Sequence, residues 1–125
     1  MIYGIGTDIV EVSRIEQSLA RFGSAFAQRI LTEGEYPEFE LSQVKARFLA
    51  KRFAAKEAFG KALGTGLRAP VAMQHIGVGH NDLGKPVLVL APELQAWVEA
   101  RGVKLMHISI SDEKALAVAF VVLEN

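Results

Sequence analysis

Asp8 is the first residue whose surroundings suggest chemistry. It lies inside an apolar segment that predicts a β-strand, and Gly4 and Gly6 share its face by period-two alternation. A carboxylate buried without a partner is costly, and the two glycines would leave room for something to approach it. The plainer alternative is a structural aspartate that caps a backbone group or pairs with Arg14. On this residue alone the plainer alternative is favoured.

Glu57 is a second carboxylate of this kind, in the middle of a predicted long helix. Its i−3 and i+3 neighbours are Ala54 and Gly60, whose small size would let a ligand or another chain come close. Its i+4 neighbour is Lys61. The alternative is therefore an ordinary Glu–Lys helix pair, worth about 0.2–0.5 kcal/mol.

Basic residues concentrate around Glu57. The whole chain has 14 Lys+Arg and 14 Asp+Glu, yet the only acid between Ser42 and Arg68 is Glu57. The basic residues of this segment are Lys45, Arg47, Lys51, Arg52, Lys56, Lys61 and Arg68. Such a cluster suits phosphates or an acidic protein partner, whereas the usual interpretation is a solvated helix face. The aromatic residues lie on the apolar side, which argues against a nucleic-acid surface.

His107, Ser109 and Ser111 alternate along one side of a predicted strand. This row could line a phosphate pocket, or it could be a polar sheet face in solvent. Other chemistries are excluded by missing patterns: there is no nucleophile-elbow serine, no Walker loop and no dinucleotide glycine fingerprint. The absence of cysteine removes thiol nucleophiles and zinc–thiolate sites.

The helices and strands that must position these residues are predicted from hydrophobic periodicity and from the residues that cap helices or form turns. Residues 2–12 predict a buried strand. Ser13 and Glu16 have capping-box spacing and predict a helix that stops at Gly23. Residues 24–31 predict a short helix, and the acidic stretch 32–40, with its proline, predicts a broken turn. Residues 42–63 then predict a long helix.

The second half of the chain predicts mainly strands. Residues 76–79 and 87–90 flank a hairpin-like turn at 81–86. Residues 93–101 predict a helix, and strands at 105–110 and 116–123 form a second hairpin. The sum is a single α+β domain over residues 1–125, in which a largely antiparallel sheet packs against a long helix and shorter helices.

Size and composition agree with a globular protein. The chain has 125 residues, of which 50% are hydrophobic and 22% charged. A domain this small leaves much surface exposed, so an oligomer would be a natural way to bury more. No apolar run has membrane-spanning length and the start lacks signal-peptide features, which predicts a soluble, cytoplasmic protein.

Four segments together resemble the holo-acyl-carrier-protein synthases, the short single-domain type of 4′-phosphopantetheinyl transferase. They are GIGTDIVE at 4–11 with Arg14 and Ile15 after it, RFAAKEAFGKALGTG at 52–66, NDLGKP at 81–86 and HISIS at 107–111. The order is that of the family and spans essentially the whole chain. One departure is Asp112, where many relatives have histidine, so no role is assigned to it.

The resemblance implies both an activity and a metal. The expected reaction transfers 4′-phosphopantetheine from coenzyme A to a serine of apo acyl carrier protein, releases 3′,5′-ADP and supports fatty acid biosynthesis. The family's Mg²⁺ ligands correspond to Asp8 and Glu57. Mg²⁺ prefers oxygen ligands and is often held by one or two carboxylates plus substrate phosphates.

The resemblance also assigns substrate contacts. Lys61 corresponds to the lysine that meets the pyrophosphate, and with Glu57 it forms the expected catalytic pair. Glu57 would act as the base, either directly or through a water molecule on the metal. The remaining coenzyme A contacts are expected at Arg52 and His107 for phosphates, and at Gly84, Lys85 and Pro86 for the adenosine.

The expected protein partner is an acidic acyl carrier protein. Arg14 and Arg21 resemble carrier-docking positions, and the basic cluster fits such a partner. Short chains of this family are homotrimers with active sites at subunit interfaces, which is therefore the expected assembly.

Two other functions remain open from sequence. A binding module for acidic proteins would explain the basic cluster but not the two carboxylates, and its binding would be indifferent to Mg²⁺ and coenzyme A. A Mg²⁺-dependent phosphodiesterase would use the carboxylates but would hydrolyse its substrate without a carrier-protein acceptor.

Overall fold

The computed structural model describes the whole chain, Met1–Asn125, as five strands and five α-helices. In chain order these are β1 (Ile2–Glu11), α1 (Val12–Phe22), α2 (Ser24–Ile30), α3 (Tyr36–Leu41), α4 (Lys45–Leu63), β2 (Ile76–His80), β3 (Pro86–Leu90), α5 (Pro92–Ala100), β4 (Leu105–Asp112) and β5 (Leu116–Glu124). A 3₁₀ turn, Met73–His75, precedes β2. None of the helices is both long and apolar enough to cross a membrane.

The strands form two antiparallel sheets. One has three strands in the order β1-β5-β4, and the other is the β2–β3 hairpin. The predicted α+β class and the antiparallel pairing are confirmed, although the strands do not join into one sheet.

Helix α4 is the centre of the molecule, because it packs on β1 and β5 and also contacts the first three helices. Its buried residues lie around most of its circumference, as in a helix enclosed on several sides. They are Leu49, Ala50, Arg52, Ala54, Ala55, Lys56, Ala58, Phe59, Gly60, Ala62 and Leu63. The helix ends as predicted at Gly64, whose φ of 82° is in the left-handed region.

Gly4 and Gly6 allow α4 to lie directly on β1. A Cβ added to Gly4 would overlap the carbonyl oxygen of Ala62, and one added to Gly6 would lie 2.7 Å from the amide nitrogen of Ala62. Only hydrogen fits at these positions. The prediction that the two glycines leave room for something to approach is met by α4 itself, which fills the space.

We expect Gly6→Ala to lower the free energy of unfolding by about 3 kcal/mol, because the new methyl group must push strand and helix apart. Urea unfolding of wild type and variant measures the difference. Gly34→Ala is the matched control, since a Cβ there meets only the Thr32 hydroxyl at 3.9 Å. Equal stability of Gly6→Ala and wild type would contradict the close packing of β1 and α4.

Two local predictions need correction. Helix α1 begins at Val12, one residue before the predicted Ser13 cap, and no side chain caps it. The stretch 32–40 is not simply a broken turn, since α3 begins at Tyr36 with Pro37 in its first turn. Proline is tolerated there because N–H groups of the first turn have no partner within the helix.

The face of the three-stranded sheet opposite α4 is uncovered within the chain. It carries Ile5 and Ile9 of β1 and Phe120 of β5, with exposures of 56%, 62% and 44%. Leu105 and His107 of β4 lie on the same face by alternation. A sheet face that exposes several large apolar side chains beside polar ones is typical of an interaction surface.

Candidate active site

Asp8 and Lys61 meet where β1 crosses α4. The Lys61 Nζ donates hydrogen bonds to Asp8 Oδ1 and to the backbone carbonyl of Thr7, both at 3.0 Å. The aspartate points to the helix side of the sheet, as its alternation with Gly6 predicts. Asp8 therefore pairs with Lys61, and the alternative pairing with Arg14 does not occur.

Glu57 lies one helical turn before Lys61 and beside the same aspartate. Burial raises the pKa of Glu57 above its ordinary value, the charge of Asp8 raises it further, and Lys61 acts in the opposite direction. The ion pair of Lys61 is with Asp8 rather than with Glu57, so the simple helix pair is not formed. Two carboxylates and one ammonium thus share this corner of the molecule.

A small cavity of about 370 Å³ opens beside the two carboxylates. Its walls include Asp8 and Ile9 from β1, Arg14 from α1, and Phe53 and Glu57 from α4. The acidic atoms can therefore be reached from outside. The small neighbours of Glu57 do not provide this access, because Ala54 and Gly60 are buried within the fold.

The donor set fits a magnesium ion better than a transition metal. No group of three or more His, Cys, Asp or Glu side chains could enclose a metal ion. Mg²⁺ needs no such cage, because it keeps waters and takes one or two carboxylates together with substrate phosphates. The Asp8 and Glu57 carboxylates repel each other, and a cation between them would relieve that repulsion.

Arg14 and Arg21 lie on one side of α1, seven residues and hence about two turns apart. Both are exposed, and the guanidinium of Arg21 is 5.1 Å from the centre of the Phe22 ring. Arg14 also lines the cavity of the carboxylates. The two arginines therefore extend a positive surface outward from the cavity.

His107 lies away from this site. Strand β5 separates β4 from β1, and His107 is on the uncovered face of the sheet whereas Asp8 is on the face covered by α4. Its Nε2 is 2.8 Å from Glu124 Oε2. Within one chain, His107 and the carboxylates do not meet.

The turn containing Gly84, Lys85 and Pro86 joins β2 to β3. Its shape is fixed by Asn81, whose Oδ1 accepts hydrogen bonds at 2.9 Å from the N–H groups of Leu83 and Lys85. Gly84 has a φ of 82°, which favours glycine. The turn has a defined shape, but none of its residues lines the cavity of Asp8 and Glu57.

Arg52 and Lys56 are not on a basic surface, contrary to the interpretation of the charge cluster. Lys56 is fully buried, and its Nζ is 2.6 Å from Glu35 Oε1. The side chain of Arg52 is 5% exposed and lies between Glu35 and Glu38, with its guanidinium 4.4 Å from the Phe48 ring centre. Burial lowers the pKa of Lys56, although Glu35 beside it raises it.

The rest of the cluster is more accessible, but it is partly neutralised. Arg47 and Lys51 each lie 4.0 Å from Asp112, at the end of β4. Lys45 and Arg68 are exposed. The positive surface available to a partner is therefore smaller than the sequence count suggests.

Glu35 is a structurally important residue that sequence reasoning missed. Its Oε1 accepts a hydrogen bond from Thr32 N–H, and its own N–H donates to Thr32 Oγ1. This reciprocal pattern is that of a capping box, and the Thr-x-x-Glu spacing was visible in the sequence. For the burial of Lys56 there was no comparable local signal.

A larger cavity, of about 1050 Å³, contains none of Asp8, Glu57 or Lys61. It lies between the 28–38 segment and the β2–β3 hairpin, and Glu35 forms part of its wall. Cavity size alone does not identify chemistry. The smaller cavity is the better candidate for the active site, because it brings Asp8 and Glu57 together and the pKa of Glu57 is raised there.

Comparison with known proteins defines the class first. A sequence model of the 4′-phosphopantetheinyl transferase superfamily matches residues 4–121. The α+β fold, with its carboxylates on β1 and α4, is accordingly that of a phosphopantetheinyl transferase.

Individual relatives then identify the family within this superfamily. The holo-[acyl-carrier-protein] synthase of Nitrosospira multiformis is 57% identical over 125 residues, 100% of both chains. The crystal structure of the Neisseria meningitidis enzyme of that name superposes with a TM-score of 0.97 at 51% identity, covering 100% of both chains. The Bacillus anthracis structure, solved in complex with CoA (3′,5′-ADP), has a TM-score of 0.81 at 42% identity and covers 98% of this chain and 96% of that one. The chain belongs to the holo-[acyl-carrier-protein] synthase family, which confirms the resemblance seen in its sequence.

Proposed function

We propose that this protein transfers 4′-phosphopantetheine from coenzyme A to a serine of apo acyl carrier protein, with release of 3′,5′-ADP. The observation that carries the proposal is that Asp8 and Glu57 line one cavity and that Lys61 pairs with Asp8, all three from the two segments that resemble the family signatures. The relative from Bacillus anthracis, solved with CoA (3′,5′-ADP), supports coenzyme A as the substrate. A supporting role in fatty acid synthesis and a cytoplasmic location stay predictions from the sequence.

Asp8 and Glu57 would hold Mg²⁺, which would supply charge neutralisation for the pyrophosphate of coenzyme A. Lys61, whose ammonium already lies at the Asp8 carboxylate, would contact the same phosphates. Positioning and electrostatic stabilisation dominate phosphoryl transfers of this type.

Glu57 is the proposed base. Its carboxylate lines the cavity, where an incoming hydroxyl group could reach it. The serine hydroxyl of the carrier would lose its proton to Glu57 as its oxygen bonds to the β-phosphorus, and the bond to 3′,5′-ADP would break. The sequence predicts two routes for this proton, one directly to Glu57 and one through a water molecule.

The proposed activity is tested by the intact mass of apo acyl carrier protein after incubation with this protein, coenzyme A and Mg²⁺. The expected result is a gain of one phosphopantetheine that EDTA prevents. No gain with several carrier proteins would contradict the proposal and favour a binding module. Hydrolysis of coenzyme A without modification of the carrier would favour the phosphodiesterase.

Arg14 and Arg21 are proposed to dock the acidic carrier protein, because they are exposed and Arg14 borders the cavity. Reversing the charge with Arg14→Glu should raise the KM for carrier protein about tenfold, since one attractive contact becomes repulsive. The KM for coenzyme A should stay within about twofold. Steady-state kinetics with each substrate varied in turn measures both values.

Arg29→Glu, on α2 and away from the cavity lining, is the matched control. An equal rise in both KM values would exclude a docking role.

A homotrimer is the proposed assembly. It would cover the apolar sheet face of Ile5, Ile9 and Phe120, and it would allow His107 of one chain to reach the carboxylates of another. The phosphate contacts predicted for Arg52 and His107, and the adenosine contacts at residues 84–86, also stay predictions. Arg52 has little exposed surface for such a contact.

We expect Phe120→Glu to dissociate the assembly, because three carboxylates would be buried in an apolar interface. Light scattering after size exclusion should give the mass of three chains for wild type and of one chain for the variant, and transfer should be lost with the assembly. Leu41→Glu is the control, since Leu41 is 85% exposed at the end of α3. A wild-type protein that is active as a single chain would contradict the shared site.

A further inference from the structure

A buried network of charged side chains ties three parts of the fold together. Glu35 lies before α3, whereas Arg52 and Lys56 are on α4, and all three are at most 4% exposed. Lys56 Nζ donates to Glu35 Oε1 at 2.6 Å and to the carbonyl oxygens of Ile30 and Met73. The ammonium thus has three oxygen partners, as a buried cation requires.

The same network closes the free edge of β2. Val78 N–H donates to Glu35 Oε2 at 2.9 Å, and Val78 C=O accepts from Arg52 Nη1 at 3.1 Å. Strand β2 pairs only with β3, so no other strand bonds to this edge. A carboxylate and a guanidinium therefore take the places that the C=O and N–H of a neighbouring strand would occupy.

This arrangement connects the helix that carries Glu57 with the hairpin that carries the predicted adenosine turn. On α4, Lys56 is the residue immediately before Glu57. Strand β2 leads from Val78 directly into the turn at 81–86, where contacts to the adenosine are predicted. Glu35 bonds to both sides, through Lys56 to the helix and through Val78 to the hairpin.

We propose that Glu35 is a positioning residue, which fixes the β2–β3 hairpin relative to α4 and thereby holds the predicted adenosine turn in its binding position. This inference rests on the proposed function for its kinetic consequence. Glu35 touches neither the cavity of Asp8 and Glu57 nor the turn itself, so it acts through Val78 and Lys56.

The test compares two Glu35 variants in a Lys56→Met background. The methionine removes the buried ammonium, which would otherwise lose its counter-charge when Glu35 is replaced. Glu35→Gln keeps a side-chain oxygen that can accept from Val78 N–H. Glu35→Leu has a similar volume and no acceptor. The pair therefore differs chiefly in the anchor of the hairpin.

With Leu at position 35, the KM and the calorimetric Kd for coenzyme A should be about tenfold higher than with Gln, the effect of losing about 1.4 kcal/mol of preorganisation. The turnover number and the KM for carrier protein should agree within about twofold, because Asp8, Glu57 and Lys61 are untouched. Hydrogen exchange at the Val78 amide should be faster in the leucine variant.

Equal coenzyme A affinity in the two folded variants would overturn the inference, as would a parallel loss in every kinetic constant. Should the leucine variant not fold, Glu35→Asp in the natural chain replaces it, because the shorter side chain keeps the charge but withdraws from Val78. It must then show the same selective loss for coenzyme A. A wild-type protein without transferase activity would refute the proposed function, whereas coenzyme A binding and Val78 exchange would still test the positioning role.

Discussion

Asp8→Asn is expected to lower the transfer rate by about 10²–10³-fold, the cost of removing one electrostatic group that acts on the transition state. The amide keeps the size of the carboxylate but loses its charge, so a proposed ligand of Mg²⁺ is lost and Lys61 loses its partner. The rate is measured by intact mass of the carrier protein over a series of Mg²⁺ concentrations. The requirement for Mg²⁺ should rise as well.

The fold of this variant should be unchanged, because the side chain of Lys61 is half exposed and can be solvated without Asp8. A melting curve checks this. Glu11→Gln is the matched control, since it neutralises an exposed carboxylate of the same strand and should keep full activity. An Asp8→Asn protein that is active at low Mg²⁺ would contradict the assignment of Asp8 as a ligand.

Lys56→Met should have the largest effect on stability, a loss of about 3–5 kcal/mol, because it leaves the carboxylate of Glu35 buried without its closest counter-charge. It also leaves the carbonyls of Ile30 and Met73 without their donor. Urea unfolding monitored by circular dichroism gives the free energy.

Two comparisons make this prediction specific. Lys45→Met, at an exposed position of the same helix, should change the stability by no more than about 0.5 kcal/mol. Glu35→Gln together with Lys56→Met should recover much of the loss, since no unpaired charge then remains at this pair. If Lys56→Met alone unfolds like wild type, the buried pair does not contribute to stability.

Local signals in the sequence were sufficient for most elements. Gly64 ends α4, and the NDLGKP turn joins β2 to β3, as predicted. Alternation correctly put His107, Ser109 and Ser111 on one face of β4. These features depend only on residues that are neighbours in the sequence, so they can be predicted without knowing how the rest of the chain folds.

The candidate site was predicted only in part. Matching to family signatures selected Asp8, Glu57 and Lys61, and the fold brings them together. The sequence predicted that something approaches Gly4 and Gly6 but left open what it is, and the structure shows that it is α4. A glycine in a strand indicates close approach of something, but not whether that is a ligand or the chain itself.

The sequence by itself determined the helices and strands, the antiparallel pairing of the strands and the residue types at the site. The helices and strands follow from periodicity, the pairing from turn chemistry and the site residues from the motifs. Only the tertiary structure decided that Lys56 and Arg52 are buried and that Glu35, distant in sequence, compensates them. It also decided which sheet face stays uncovered. Burial depends on which surfaces meet after the chain has folded, and a lysine on a helix has the same local pattern whether water or a carboxylate faces it.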